Sequence, residues 1–316
     1  MGNPIKTDYI NLFVVYGLSI MFVICLSLTY KVISHNTLDK KIPENQKKEE
    51  QSKEIFDKHI FQNIPIQGRA YVVYDILNHE VLASKNETEV LPLASLTKVM
   101  TAVSSMLHAS PDTKVTITKK SIEGDYDLGL KNNQVWRLDE LLKYTLVFSS
   151  NDGAAAVANA FGGRDVFVAQ MNSDAKVMGL NFVFTDPAGR DLHGKIGGKG
   201  NALDAAKLLE IARKQIPDIL DATTKKYQTV LTSSEKIIGI PNTNQMIESI
   251  PGAEVSKTGF TDLAGGNLGV IVDVSVGHPV AIIVLGSTRN GRFEDVRILY
   301  DVLRKSFMSI PNQTSP

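Results

Sequence analysis

Asn267-Leu-Gly-Val-Ile-Val-Asp-Val-Ser-Val276 and Pro279-Val-Ala-Ile-Ile-Val-Leu285, joined at Gly277-His278, decide the fold. Both runs are rich in valine and isoleucine, whose branched side chains suit a pleated surface, and the Gly-His junction reads as a hairpin turn. Val255 to Gly259 leads into them through a turn at Asp262–Gly266. Far upstream, Arg69-Ala-Tyr-Val-Val-Tyr-Asp75 and Glu80-Val-Leu-Ala83 make a second hairpin around Asn78-His79. Between the hairpins the period becomes helical. Ser95 to about His108 has an apolar face of Leu96, Val99, Met100, Val103 and Met106–Leu107. Asp139 to Val147, Gly153 to Phe161, Asp165 to Met178 and Asn201 to Gln215 read as further helices, and Asp295 to Arg304 as a closing amphipathic one. Strands at both ends of a helical middle are incompatible with a βαβ repeat. They predict an α+β fold: an antiparallel sheet built from both ends, an inserted helical lobe, and a site in the cleft between them.

The whole chain narrows the function classes. Its 316 residues are 43% hydrophobic and 22% charged, enough for one large domain or two lobes. Acidic and basic residues balance at 34 each, which removes any electrostatic argument for nucleic acid or another polyanion as partner. The histidines at 35, 59, 79, 108, 193 and 278 show no i,i+4 pair and no Cys/His cluster, which argues against a zinc peptidase. No Walker-type or dinucleotide-binding glycine loop and no G-x-S-x-G elbow is present. Neither a metal nor an organic cofactor is expected. Cys25 is the only cysteine, so no intrachain disulfide can form.

The N-terminal region has a different character. Tyr9 to Tyr30 carries no charged side chain, and about 20 apolar residues suffice to span a bilayer as a helix. Leu26-Ser-Leu-Thr-Tyr-Lys31 is a poor cleavage site, so an uncleaved anchor is expected rather than a signal peptide. The expected organisation is a short cytoplasmic segment 1–8, a transmembrane anchor 9–33, a charged juxtamembrane linker 34–62, a folded domain 63–306 and a flexible tail 307–316. Lys31, Lys40 and Lys41 beyond the span, against Lys6 and Asp8 before it, would by the positive-inside tendency put the domain in the cytoplasm. The expectation here is the opposite, a single-pass membrane protein with its domain outside, because large domains translocate largely regardless of charge.

Three short words carry the chemistry: Ser95-Leu-Thr-Lys98, Ser149-Ser-Asn151 and Lys257-Thr-Gly259. Singly they are ordinary. S-x-x-K recurs at Ser173–Lys176 and Ser233–Lys236, and S-x-N at Ser34–Asn36 and Ser84–Asn86. Alone, the first word reads as a capped helix with a surface lysine, the second as a helix cap and the third as an edge strand with a charged gatekeeper. Their order and helical context make the difference. A serine at a helix start meets free N–H groups and partial positive charge, which favour a developing oxyanion. Spacing of i,i+3 puts Lys98 on the face of Ser95, where a neutral amine can take the serine proton. Neutrality demands a pKa well below the ordinary lysine range, and Lys257 is the obvious second cation to depress it. A hydroxyl and an amide at Ser149 and Asn151 can carry a proton and hold a substrate amide. Gly259 lets a substrate backbone approach, and Lys257 with Thr258 can bind a carboxylate.

Pro92-Leu-Ala-Ser-Leu-Thr-Lys-Val-Met-Thr-Ala102, Leu141 through Ala155, Phe167-Val-Ala-Gln-Met-Asn172, Asn242-Thr-Asn244, Lys257-Thr-Gly-Phe-Thr261, Ala264-Gly265 and Gly286-Ser287 before Arg292 together resemble the low-molecular-mass penicillin-binding proteins, the serine-type D-alanyl-D-alanine carboxypeptidases. The resemblance covers about residues 63–304 and implies a five-stranded antiparallel sheet flanked by helices plus a helical lobe. It implies Ser95 as acylated nucleophile, Lys98 as general base, Ser149 as proton relay and Asn151 as holder of the substrate amide. Lys257 and Thr258 would bind the terminal carboxylate, the N–H groups of Ser95 and Phe260 would form the oxyanion hole, and Arg292 would assist carboxylate binding. The implied substrate is a peptidoglycan stem peptide ending in D-Ala-D-Ala, with β-lactams as covalent inhibitors. A β-lactamase, a penicillin-recognising sensor and an endopeptidase are the alternatives. The stretch Asp186 to Asn201 contains no glutamate for rapid deacylation, which argues against the first. Asp186-Pro-Ala-Gly-Arg-Asp191 departs from the usual pattern, and the glycine-rich Gly194–Gly200 reads as a mobile rim of the site.

Overall fold

Two central strands of this chain read as unbroken apolar runs, and the structure shows why: each is covered on both faces. The structure, a computed structural model, describes residues 58–122, 130–232 and 237–308. The expected segments 1–8 and 9–33, most of the linker 34–62 and most of the tail 307–316 lie outside the described residues. No helix among the described residues is long and apolar enough to cross a membrane.

In chain order the elements are strands β1 (Ala70–Asp75), β2 (Glu80–Lys85) and β3 (Leu91–Pro92), helix α1 (Thr97–His108), and the short strands β4 (Lys114–Thr116) and β5 (Val135–Arg137). Helices α2 (Leu138–Val147), α3 (Asn151–Ala160) and α4 (Arg164–Val177) follow, then β6 (Val183–Phe184) and β7 (Gly198–Gly200). Helices α5 (Ala202–Gln215) and α6 (Pro217–Asp221) precede the hairpin β8 (Tyr227–Leu231) and β9 (Ile237–Pro241). Strands β10 (Ala253–Thr261), β11 (Gly265–Asp273) and β12 (Pro279–Ser287) lead into α7 (Gly291–Met308).

The main sheet has five strands in the order β10-β11-β12-β1-β2, all antiparallel. Strand β1 pairs with β12 in the register Val72↔Ile283, so both ends of the described domain meet at the sheet centre. One face is covered by α7, whose Val296, Leu299 and Leu303 are buried with Val270, Val272, Ile282 and Val284. The other face meets α5 and α1, where Leu208, Leu209, Val99 and Val103 join Val72, Ile271, Ile283 and Leu285. The five-stranded, helix-flanked α+β architecture and the two hairpins are as expected from the sequence.

Differences are local and have causes. Helix α7 begins at Gly291, four residues before the expected start, because Thr288 caps it: its Oγ1 accepts from the Gly291 N–H at 2.8 Å. A glycine at that point looks like a breaker until its cap is seen. Strands β3, β6 and β7 form a separate three-stranded sheet that the sequence reading missed, since runs of two or three residues show no period. The expected mobile rim at Gly194–Gly200 is corrected in part. Gly197, Gly198 and Gly200 are buried, and β7 pairs with both β3 and β6.

Candidate active site

Ser95 lies in a 3-10 turn, Ala94–Leu96, that runs directly into α1. Its predecessor Ala94 is held at φ 47°, in the left-handed region that a residue with a Cβ occupies at a cost of about 1–3 kcal/mol. Such strain persists only where the surroundings impose it, and here the contacts are identifiable. The Leu93 N–H donates to the Gly198 carbonyl at 2.8 Å. A Cβ on Gly259 would stand 3.0 Å from the Leu93 oxygen and 3.1 Å from the Ser95 nitrogen, so β10 presses its edge against the nucleophile turn. Glycine there is a packing requirement as much as a route for substrate.

Lys98, the second residue of α1, is completely buried. Its Nζ lies 2.8 Å from Ser95 Oγ, 2.8 Å from Asn151 Oδ1 and 2.9 Å from the Ala188 carbonyl. A neutral amine has two N–H donors and one lone pair. As an ammonium, Lys98 donates to Ser95 Oγ, Asn151 Oδ1 and the Ala188 carbonyl; once deprotonated, with its N–H groups on Asn151 and Ala188, it would turn its lone pair to the Ser95 hydroxyl. Asn151 therefore orients Lys98, in addition to any contact it makes with a substrate amide.

The loop that supplies the Ala188 carbonyl is built around Asp186. That carboxylate is fully buried and accepts from the Ala188 N–H at 2.9 Å and the Arg190 N–H at 3.0 Å, with the Arg190 guanidinium at 3.3 Å. Thr101 on α1 donates its hydroxyl to the neighbouring Pro187 carbonyl at 2.5 Å. Gly189, at φ 73°, passes so close that a Cβ would stand 2.0 Å from the Ala94 oxygen. Ala188 has no side-chain signal in the sequence, because its contribution is a carbonyl. The readable signal was the Asp-Pro-x-Gly turn ahead of it.

Between α2 and α3 the second word divides its labour. Ser150 caps α3, its Oγ accepting from the Gly153 N–H at 2.7 Å. That leaves Ser149, at φ 62°, to turn its hydroxyl toward Lys257, whose Nζ donates to Ser149 Oγ at 2.8 Å. The capping explanation of this word holds for one serine and not for the other.

Lys257 is on β10, an edge strand as expected, but it is no exposed gatekeeper: it is 2% exposed. Burial, then the charges of Lys98 and Arg292, push its ammonium well below the usual lysine range. Its Nζ also donates to the Thr258 carbonyl at 2.8 Å. Thr258 donates its hydroxyl to Thr243 Oγ1 at 2.7 Å, a partner the sequence reading left without a role. Thr243 is held in place by its neighbours, since Asn244 Nδ2 donates to Ser256 Oγ on β10 and Asn242 Nδ2 to the Thr223 carbonyl. Arg292 comes to the same strand from α7, its Nη1 donating to the Gly259 carbonyl. Burial and then the charge of Arg289 lower its pKa to about 10. Phe260 follows on β10, half-buried, with the Arg289 guanidinium over its ring. Asn267 on β11, also unassigned from sequence, donates to the Pro92 carbonyl and accepts from the Gly286 N–H, joining β11 to β3 and β12.

All three words thus meet at one place, although more than 100 residues separate the second from the third. Comparison with known proteins identifies the family. The family model described as D-alanyl-D-alanine carboxypeptidase, peptidase family S11, matches residues 57–289. A D-alanyl-D-alanine endopeptidase of Escherichia coli (strain K12) is 33% identical over 226 residues, 69% of this chain and 70% of the relative. The D-alanyl-D-alanine carboxypeptidase DacB2 of Mycobacterium tuberculosis is 28% identical over 200 residues, 62% of this chain and 67% of the relative. Penicillin-binding protein D2 from Listeria monocytogenes, solved in its ampicillin-bound form, superimposes with a TM-score of 0.67 at 31% identity, over 76% of this chain and 98% of that one. The chain belongs to the S11 family of serine D-alanyl-D-alanine peptidases, of the low-molecular-mass penicillin-binding protein type.

Proposed function

We propose that this protein is a serine D-Ala-D-Ala carboxypeptidase that works through an acyl-enzyme on Ser95. The observation that carries the reading is the contact set of the Lys98 amine, with Ser95 Oγ, Asn151 Oδ1 and the Ala188 carbonyl all within 2.9 Å. In the proposed cycle Ser95 Oγ attacks the carbonyl of the penultimate D-alanine while its proton passes to Lys98 Nζ. The backbone N–H groups of Ser95 and Phe260 stabilise the oxyanion. The C–N bond then breaks, and the departing D-alanine amine takes a proton through Ser149. Water, giving its proton to the same lysine, hydrolyses the ester and releases the shortened peptide as its acid. Asn151 holds the substrate amide. Lys257 and Thr258, with Arg292 adding positive charge behind β10, hold the terminal carboxylate.

Rapid β-lactam hydrolysis finds no support, because the Asp186–Asn201 stretch contains no glutamate and its fully buried Asp186 is engaged with Ala188 and Arg190. The endopeptidase reading has a specific argument in its favour, the identification of the E. coli relative as a D-alanyl-D-alanine endopeptidase. Peptidases of this family would trim or cut peptidoglycan stems outside the cell. We place the domain there, tethered by residues 9–33, on the strength of the uncharged run Tyr9–Tyr30 and the charged linker after it. The experiment compares the protein with its Ser95→Ala variant on a peptide ending in D-Ala-D-Ala and on a cross-linked dimer. Release of D-alanine by the parent alone supports the carboxypeptidase. Cleavage of the dimer without D-alanine release overturns it in favour of the endopeptidase.

A further inference from the structure

Arg289 stands in the turn between β12 and α7, exposed to solvent, with its Cζ 3.8 Å from the centre of the Phe260 ring. A guanidinium that stacks by its face keeps its N–H fork in its own plane, free to meet a planar anion. Among the described residues no carboxylate pairs with it, whereas Arg213 and Arg297 are both paired. The other cation beside it, Arg292, is turned inward to the Gly259 carbonyl. A solvent-facing, unneutralised guanidinium is therefore mounted on the residue that follows Lys257-Thr258-Gly259.

Its place along β10 decides what it can meet. This step rests on the carboxypeptidase reading. An extended peptide that lies along the edge of β10 that no described strand pairs with, its C-terminal carboxylate at Lys257 and Thr258, brings its penultimate carbonyl to Ser95 and Phe260. Strand residues rise about 3.4 Å each, so the residue before D-Ala-D-Ala lies opposite Thr261, past the Phe260 ring. We propose that Arg289, held over the Phe260 ring, is a specificity residue that pairs with a carboxylate on the side chain of the residue preceding D-Ala-D-Ala. The preferred substrates are then peptides acidic at that position.

The test uses the full chain and two peptides whose residue before D-Ala-D-Ala is 2,6-diaminopimelate, with the side-chain carboxylate free or converted to the carboxamide. The parent should favour the acidic peptide in kcat/KM by roughly fivefold at low salt, the size of a partly exposed ion pair. That ratio should fall toward one in ~0.5 M salt. Arg289→Ala should bring the ratio near one, and Arg289→Lys should retain part of it. Binding of both peptides to Ser95→Ala and to Ser95→Ala/Arg289→Ala gives the same ratio without turnover. A parent ratio near one, or a ratio unchanged in Arg289→Ala, overturns the proposal, as does an equal loss on both peptides, the mark of a mere prop for Phe260. Selective binding without D-alanine release would uphold Arg289 while refuting the carboxypeptidase. Release without selectivity would do the reverse.

Discussion

Lys257 shows what burial does to a single residue. Its folded-state pKa lies well below the ordinary 10.5, chiefly through burial, then through Lys98 and Arg292. Below the folded pKa both states carry the proton, and the whole penalty of burying the charge destabilises the fold. Between the folded pKa and 10.5 the unfolded state binds the extra proton, so stability rises with pH across that window and levels off above it. Denaturant midpoints measured from pH 6 to pH 10 should therefore climb in the parent relative to Lys257→Met, and parallel curves would refute the assignment. For Lys98, loss of a general base is worth roughly 10²–10⁴-fold. Lys98→Met should slow acylation by a fluorescent penicillin by that factor, with thermal stability nearly retained.

At the scale of elements, the site depends on a loop and a strand pressed onto one turn. The loop around Asp186 presents the Ala188 carbonyl to Lys98, and Gly189 in that loop and Gly198 on β7 stand against Ala94 and Thr97, on either side of Ser95 in the chain. Gly189→Ala puts a Cβ into the Ala94 oxygen at a positive φ, a steric and conformational conflict costing about 2 kcal/mol or more. Differential scanning calorimetry should show the lowered Tm. Asp186→Ala releases the turn that aims Ala188. A misplacement near 1 Å at the nucleophile can cost about 100-fold in rate. The acylation rate of Asp186→Ala should fall by about that much, and a rate within threefold of the parent would mean that the loop does not aim Lys98.

On the scale of the whole molecule, α7 closes one face of the sheet far along the chain from α1, yet it reaches the site through Arg292. Leu299 is completely buried there, and Leu299→Ala should cost about 2–5 kcal/mol in unfolding free energy. The acylation rate per folded molecule should stay close to that of the parent, because Leu299 belongs to the apolar cluster between α7 and the sheet, on the face opposite α1 and α5. A rate loss matching the stability loss would show that α7 couples packing to catalysis. The sequence by itself determined the strands of the five-stranded sheet, the long helices and the three words, since each is a local pattern of period, cap or spacing. It could also place Lys257 on an edge strand. Only the tertiary structure decided that Ser150 rather than Ser149 is the cap, that the carbonyl of Ala188 joins Ser95 and Asn151 around Lys98, that Thr243 backs Thr258, and that three of the seven residues of the glycine-rich segment are buried. Those are contacts of backbone atoms and of residues far apart in the chain, and no local pattern records which distant group will fill a hydrogen bond or a space.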